Sequence, residues 1–221
     1  MEELPKINVI YEDNHLLVVE KPINIPIQAD NSGDLDFLTL IKQYRKIKDK
    51  KTGEAYVGLI HRLDRPVSGI MVFAKTSKAA SRLSLQVRNH TFKKIYYAVV
   101  EGKLKDKDTL TDYLIKDNKT NNSYVTNKDN GKLAILDYEV ISRKDNLNLI
   151  KINLHTGRSH QIRVQFSSRG NPLLGDNRYN KKSKIKDIAL FASSISFNHP
   201  ITKENLTFTL DLPNRYPFNI F

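Results

Sequence analysis

Two short apolar runs, residues 7–11 and 16–19, flank a polar Glu12-Asp13-Asn14 break, which predicts two strands joined by a tight turn. From Asp34, a candidate N-cap, Leu35, Leu38 and Ile41 recur at helical spacing and lead through Tyr44 or Arg45 to about Lys48. That helix has a basic outer face. Residues 56–60 read as a strand, a charged His61-Arg62-Leu63-Asp64-Arg65 cluster follows, and 70–74 resumes as a second strand. The cluster is therefore expected on a loop rimmed by rigid elements. After Thr76 or Ser77 as N-cap, Ala79, Leu83 and Val87 predict a helix to about Asn89, and FKKIYYAVVEG returns to strand composition that ends at Gly102. Residues 103–131 are polar and rich in Lys, Asp and Asn. They are expected to form exposed hairpin loops, with short strands near Tyr113 and Tyr124, and to mark a seam between two halves. Strands follow at 133–141 and 147–154, then a helix over 159–169 stopped by Gly170 and Pro172, then a closing hairpin from Ala189 onward. No repeat or low-complexity tract interrupts this pattern. The expectation is a strand-rich α+β domain with mixed pairing.

Composition narrows the partners. With 221 residues the chain suits one large domain or two small ones, and a single compact catalytic domain is the simplest reading. Lys and Arg number 36 against 24 Asp and Glu, a formal charge of +12, and the isoelectric point is about 9.7. Such a field favours a polyanionic partner, nucleic acid or an anionic membrane surface. No apolar run reaches the ~18 residues of a membrane span, and no signal-peptide core or basic amphipathic anchor stands out. A cytoplasmic location with no membrane partner is expected. The absence of cysteine removes disulfides, thiol nucleophiles and Cys-based zinc sites together.

Two segments pack polar groups against apolar structure: HRLDR at 61–65, and LHTGRSHQIRVQFSSRGNPLLGD at 154–176. In the second, Gly157 permits a tight strand-to-helix corner, and the helix puts Gln161, Arg163 and Ser167 on different faces from Ile162 and Phe166. An arginine held there could meet Asp64. A buried carboxylate alone is expensive, whereas a bidentate Arg keeps it ionised and aimed, as a carboxylate nucleophile requires. Taken alone, Asp64 reads better as an ordinary ion pair or a loop cap than as a nucleophile. His61, His155 and His160 match no zinc spacing, so no metal is expected. Ser68 and Ser159 lack the nucleophile-elbow pattern of a hydrolase. Tyr96 and Tyr97 alternate across a strand, and core packing is the default for either.

Taken together, the motifs closely resemble the RluA-type family of RNA pseudouridine synthases. HRLDRPVSG resembles that family's catalytic loop, KIYYAVVEG its tyrosine motif and LHTGRSHQIRVQFSSRGNPLLGD its arginine motif, while VIYEDNHLLVVEKP and SFNHPIT match its typical ends. The similarity spans about 7–213. The resemblance implies an open, mixed and largely antiparallel β-sheet with flanking helices and a central RNA-binding cleft. It also implies a cofactor-free enzyme acting on rRNA or tRNA as a monomer, by flipping a uridine out and isomerising it. By resemblance Asp64 is the catalytic aspartate, Tyr96 the tyrosine that stacks on the base, and Arg163 the arginine pairing with the aspartate. Arg62 helps displace the flipped nucleotide, and His61, Arg65, Arg158, His160 and Gln161 contact the substrate. Of the basic clusters 42–51 and 178–186, with six and five Lys or Arg, at least one is expected to line the RNA track, a solvated surface being the alternative for each. Four departures, Val67, His155, Ser159 and Gln165, bear on substrate contacts. Many relatives carry an N-terminal S4 domain, and none is expected here. A non-catalytic RNA-binding or ribosome-assembly factor would be expected to lose Asp64, Tyr96 or Arg163, and a hydrolytic glycosylase would release free uracil.

Overall fold

In a computed structural model, which describes residues 5–30 and 32–221, three α-helices and eleven strands are seen among the described residues. The chain divides into two compact units. The first takes the residues up to Phe92 together with Ser194–Leu210, and the second takes Lys93–Ser193 and Asp211–Phe221.

In the first unit, β1 (Asn8–Glu12) and β2 (Leu16–Lys21) form an antiparallel hairpin whose turn is fixed by Asp13. Its carboxylate accepts the amides of His15 (2.6 Å) and Leu16 (2.7 Å), together with Tyr11 Oη (3.0 Å) and His199 Nε2 (2.9 Å). Beside β2 runs β4 (Ser68–Ala74), with the two-residue β3 (Gly58–Leu59) on its other edge. All seven residues of β4 are buried, because both its faces are covered. Ile70, Val72 and Ala74 join the core under α2 (Ser77–Arg88), while on the opposite pleat Phe73 meets Phe37 of α1 (Phe37–Lys48) at 6.0 Å between ring centres. Strands β10 (Leu190–Asn198) and β11 (Asn205–Thr209) form the closing hairpin, paired from Ser194 onward.

The second unit is a ladder of antiparallel strands in the order β5 (Lys93–Glu101), β9 (Leu147–Leu154), β8 (Lys132–Lys144), β6 (Lys107–Asp117) and β7 (Asn122–Thr126). Helix α3 (Gln161–Ser167) lies on one face of it. Val164 packs with Leu114 and Ala134, and Phe166 meets Tyr138 edge-on at 5.3 Å.

Four expectations need correction. The α1 cap is Asp36, which accepts the Thr39 amide, while Leu35 is 54 % exposed and Asp34 points its carboxylate to Arg65 instead. The strand at 56–60 shrinks to two residues. The polar stretch 103–131 is no seam: it lies inside the second unit, where β6 buries Leu110 and Leu114 on one face, with the half-buried Asp112 between them accepting from Gln165 and Arg169. The chain instead divides at Phe92/Lys93, Ser193/Ser194 and Leu210/Asp211. Helix α3 starts two residues late, because His160 takes a left-handed conformation (φ +52°) that a helix cannot include.

Candidate active site

The residues expected to form the site fall in both units: His61, Arg62, Asp64 and Arg65 in the first, Tyr96, Arg158, His160, Gln161 and Arg163 in the second. In the first, the loop between β3 and β4 is pinned by the buried side chains of Ile60, Leu63 and Val67, and the Asp64 carbonyl accepts the Val67 amide at 3.0 Å. Beneath it the fully buried Lys21, at the end of β2, donates to the carbonyls of Pro22 (2.8 Å), Arg65 (3.0 Å) and Val67 (2.8 Å). Burial pushes the Lys21 pKa down to about 7, while the Asp64 carboxylate opposes that shift and Arg65 adds to it. Three carbonyls match the three protons of an ammonium, so this clamp is made for the charged form. His61 Nε2 accepts the Val72 amide at 3.2 Å and its ring tilts against Phe92, 5.3 Å away, which makes this histidine an anchor of the loop. Arg62 is exposed. Arg65 reaches Ser32 Oγ (2.9 Å), the Asp34 carboxylate and Asp30 (3.5 Å), so its guanidinium braces the neighbouring loop.

In the second unit, Tyr96 is buried on β5, cross-paired with Ile152 and through it with Tyr138, on the face that α3 covers. The corner before α3 is knotted by Gln161. Its Oε1 accepts from Thr156 Oγ1 (2.7 Å) and the Arg158 amide (3.1 Å), and its Nε2 donates to the Ile135 carbonyl and Gln165 Oε1, both at 3.1 Å. Gln161 thus shapes the corner from inside. Arg158 Nε donates to the Leu133 carbonyl at 2.8 Å. Arg163, 4 % exposed, makes a bidentate pair with Asp176, 1 % exposed, through Nε (2.8 Å) and Nη2 (2.7 Å). The Asp176 carboxylate also accepts the amides of Arg178 and Tyr179, each at 3.2 Å. The Tyr179 ring lies 5.2 Å from the guanidinium carbon of Arg163, and its hydroxyl accepts the Ser123 amide (2.8 Å) and meets His160 Nδ1 (2.8 Å). Burial, above all, raises the Tyr179 pKa. The contact with Tyr179 holds His160 in its strained backbone position.

Sequence reasoning missed Lys21, Lys94, Asp176 and Tyr179. Lys94 alone carried a visible signal, since two residues before Tyr96 on a strand is the same face. Two departures from the motif turn out to be parts of the fold: Gln165 is fully buried and donates to Asp112 Oδ2 at 2.7 Å, and His155 meets Asp137 Oδ2 at 2.6 Å. Among the described residues no cluster of three His, Cys, Asp or Glu is arranged to hold a metal, and no helix is long and apolar enough to cross a membrane.

Comparison with known proteins decides the family. The family model for RNA pseudouridylate synthase matches residues 15–168, well over half the chain. The chain belongs to that family. As an RNA pseudouridine synthase it is an isomerase whose substrate is RNA. It is 34 % identical over 205 residues to the uncharacterized RNA pseudouridine synthase YhcT of Bacillus subtilis (strain 168), covering 91 % of this chain and 67 % of that protein. It is 31 % identical over 225 residues to ribosomal large subunit pseudouridine synthase D of Zymomonas mobilis, covering 96 % and 71 % respectively. Among solved structures, human RNA Pseudouridylate Synthase Domain Containing 4 superposes with a TM-score of 0.78 at 21 % identity, over 96 % of this chain and 90 % of that one. That likeness supports the fold, an α+β pseudouridine synthase architecture with an open, mixed sheet.

Proposed function

We propose that this synthase modifies uridines of large-subunit ribosomal RNA in the cytoplasm, acting as a monomer, with its two units as halves of one catalytic domain. The names of relatives such as synthase D of Zymomonas mobilis support the ribosomal target, with transfer RNA as the alternative. In the isomerisation the N1–C1′ bond breaks, the detached uracil turns, C5 bonds to C1′, and the C5 proton leaves. Asp64 is the catalytic carboxylate, acting in its ionised form, with Arg163 as the cationic partner that the resemblance assigns to it. Tyr96 stacks on the uracil and its hydroxyl assists removal of the C5 proton. Arg62, exposed on the loop, fills the stack from which the base is flipped, an extrusion that costs a few kcal/mol. Four exposed lysines at 181, 182, 184 and 186 form no ion pair among the described residues and supply phosphate contacts that offset part of that cost.

The observation that carries the reading is the Lys21 clamp: a buried lysine bonded to the carbonyls on either side of Pro66 ties down the loop that presents Asp64. The test is incubation with total RNA from cells lacking the protein, with new pseudouridines mapped by sequencing. Modified sites in large-subunit RNA are expected, lost in Asp64→Asn while RNA affinity stays within a few-fold. Turnover retained in Asp64→Asn would remove Asp64 from its role, and sites confined to transfer RNA would replace the ribosomal assignment.

A further inference from the structure

Lys94 stands on β5 two positions before Tyr96, on the same face and so roughly 7 Å along the strand. It is 8 % exposed, yet it forms no hydrogen bond or ion pair among the described residues. Such a lysine is unusual, since buried charges are nearly always paired. Burial first, and the guanidinium of Arg158 second, push its pKa down to about 8, and no carboxylate offsets either effect. Arg158 likewise meets no carboxylate among the described residues. Its Nε is spent on the Leu133 carbonyl, which fixes the guanidinium in place. Between the two cations the chain runs through Gly157, which is exposed, and a Cβ there would lie 3.3 Å from Lys94 Nζ. The missing side chain keeps the approach to the ammonium open. Two like charges held together with a clear approach are a receptor lacking its anion.

We propose that Lys94 and Arg158 form a phosphate subsite beside Tyr96, which grips the RNA backbone at the nucleotide being isomerised. The proposal rests on the reading of Tyr96 as the residue that stacks on the target base. A phosphodiester bound there holds the flipped nucleotide by its backbone while its base rests against Tyr96. The anion also supplies the counter-charge that the fold withholds, so the lysine becomes more basic once RNA is bound. Arg158 supplies planar donors from a fixed position and Lys94 a compact point charge.

The test compares Lys94→Met and Lys94→Arg with the wild type, measuring RNA affinity as a function of salt and single-turnover rate at saturating RNA. Lys94→Met is expected to bind about 10-fold more weakly at 0.1 M salt, with the slope of log affinity against log salt lower by roughly 1, the share of one phosphate contact. Its rate at saturation should stay within about 3-fold. Lys94→Arg should keep the slope. Because an unpartnered charge is removed, Lys94→Met should melt no lower than the wild type, so lost binding is not lost folding. An unchanged salt slope overturns the proposal. So does a loss confined to the saturated rate, which would put Lys94 on the uracil instead, and so does a clear drop in melting temperature, which would mean that the lysine is a structural partner. The salt slope is read from binding alone, so a wild type that binds RNA without isomerising it would refute the function and leave the subsite measurable.

Discussion

Replacing Asp176 by Asn takes the bidentate carboxylate from Arg163 at nearly constant volume. The wild-type carboxylate accepts four hydrogen bonds, two from the guanidinium and two from the amides of Arg178 and Tyr179, and both partners are almost wholly buried. An asparagine offers one oxygen and turns its NH2 toward N–H donors, so at least one guanidinium bond becomes a donor–donor contact. Removing one partner of a buried pair costs about 3–5 kcal/mol, because the charge left behind stays desolvated. For a chain of this size each kcal/mol moves the melting temperature by about 2–4 °C, so the expected fall is roughly 6–20 °C. Differential scanning fluorimetry and a urea titration measure it, and the urea slope should be unchanged if only stability has moved. A fall of less than ~2 °C in the single variant, with Arg163 intact, would refute the view that Asp176 sustains this arginine.

Tyr96→Phe should bind RNA nearly normally but turn over at least ~100-fold more slowly, whereas Tyr96→Ala should lose binding as well, because stacking survives in Phe and proton transfer does not; full turnover in the Phe variant would reduce Tyr96 to a stacking platform. Changing Lys181, Lys182 and Lys184 to Gln should lower the slope of log affinity against log salt by roughly 2–3, and an unchanged slope would place the RNA track elsewhere. Lys94, with a pKa of about 8 in the folded chain and an ordinary lysine value when unfolded, binds fewer protons folded than unfolded at any pH between the two. Its burial penalty is therefore complete below about 8 and relieved as pH rises toward 10. Denaturant midpoints should show up to roughly 3 kcal/mol of extra stabilisation over that range in the wild type relative to Lys94→Met, facing only Arg158 as a fixed charge. Parallel pH profiles for the two proteins would contradict it.

Hairpin β1–β2, helix α2 with its Thr76 cap, and strands β5, β8 and β9 were legible because each is specified locally, by period, by cap chemistry or by a turn residue. Asp64, Tyr96 and Arg163 were legible as motif residues, and the motifs are contiguous. Elements whose stability comes from distant partners were misread. The polar strand β6 looks like a linker until β8 and α3 cover its Leu110 and Leu114, and Arg45 looks like part of a basic surface until its guanidinium is found inside, on Asp49 and the carbonyls of Tyr56 and Lys75. Period and composition report what one residue prefers, and only packing reports what it meets. The same holds for the site. From the sequence, Lys21 is one lysine among many, Asp176 ends a motif, and His61, Arg65 and Gln161 are candidate substrate contacts. Tertiary structure assigns them by proximity: a lysine 44 residues away in sequence from the Arg65 carbonyl it binds, and a carboxylate 13 residues beyond the arginine it holds. Hydrogen bonds and ion pairs act over about 3 Å and carry no trace of sequence separation. The sequence by itself therefore determined the family and offered the motif residues that the proposed chemistry uses, while which charges are buried and paired was decided only when the chain closed on itself.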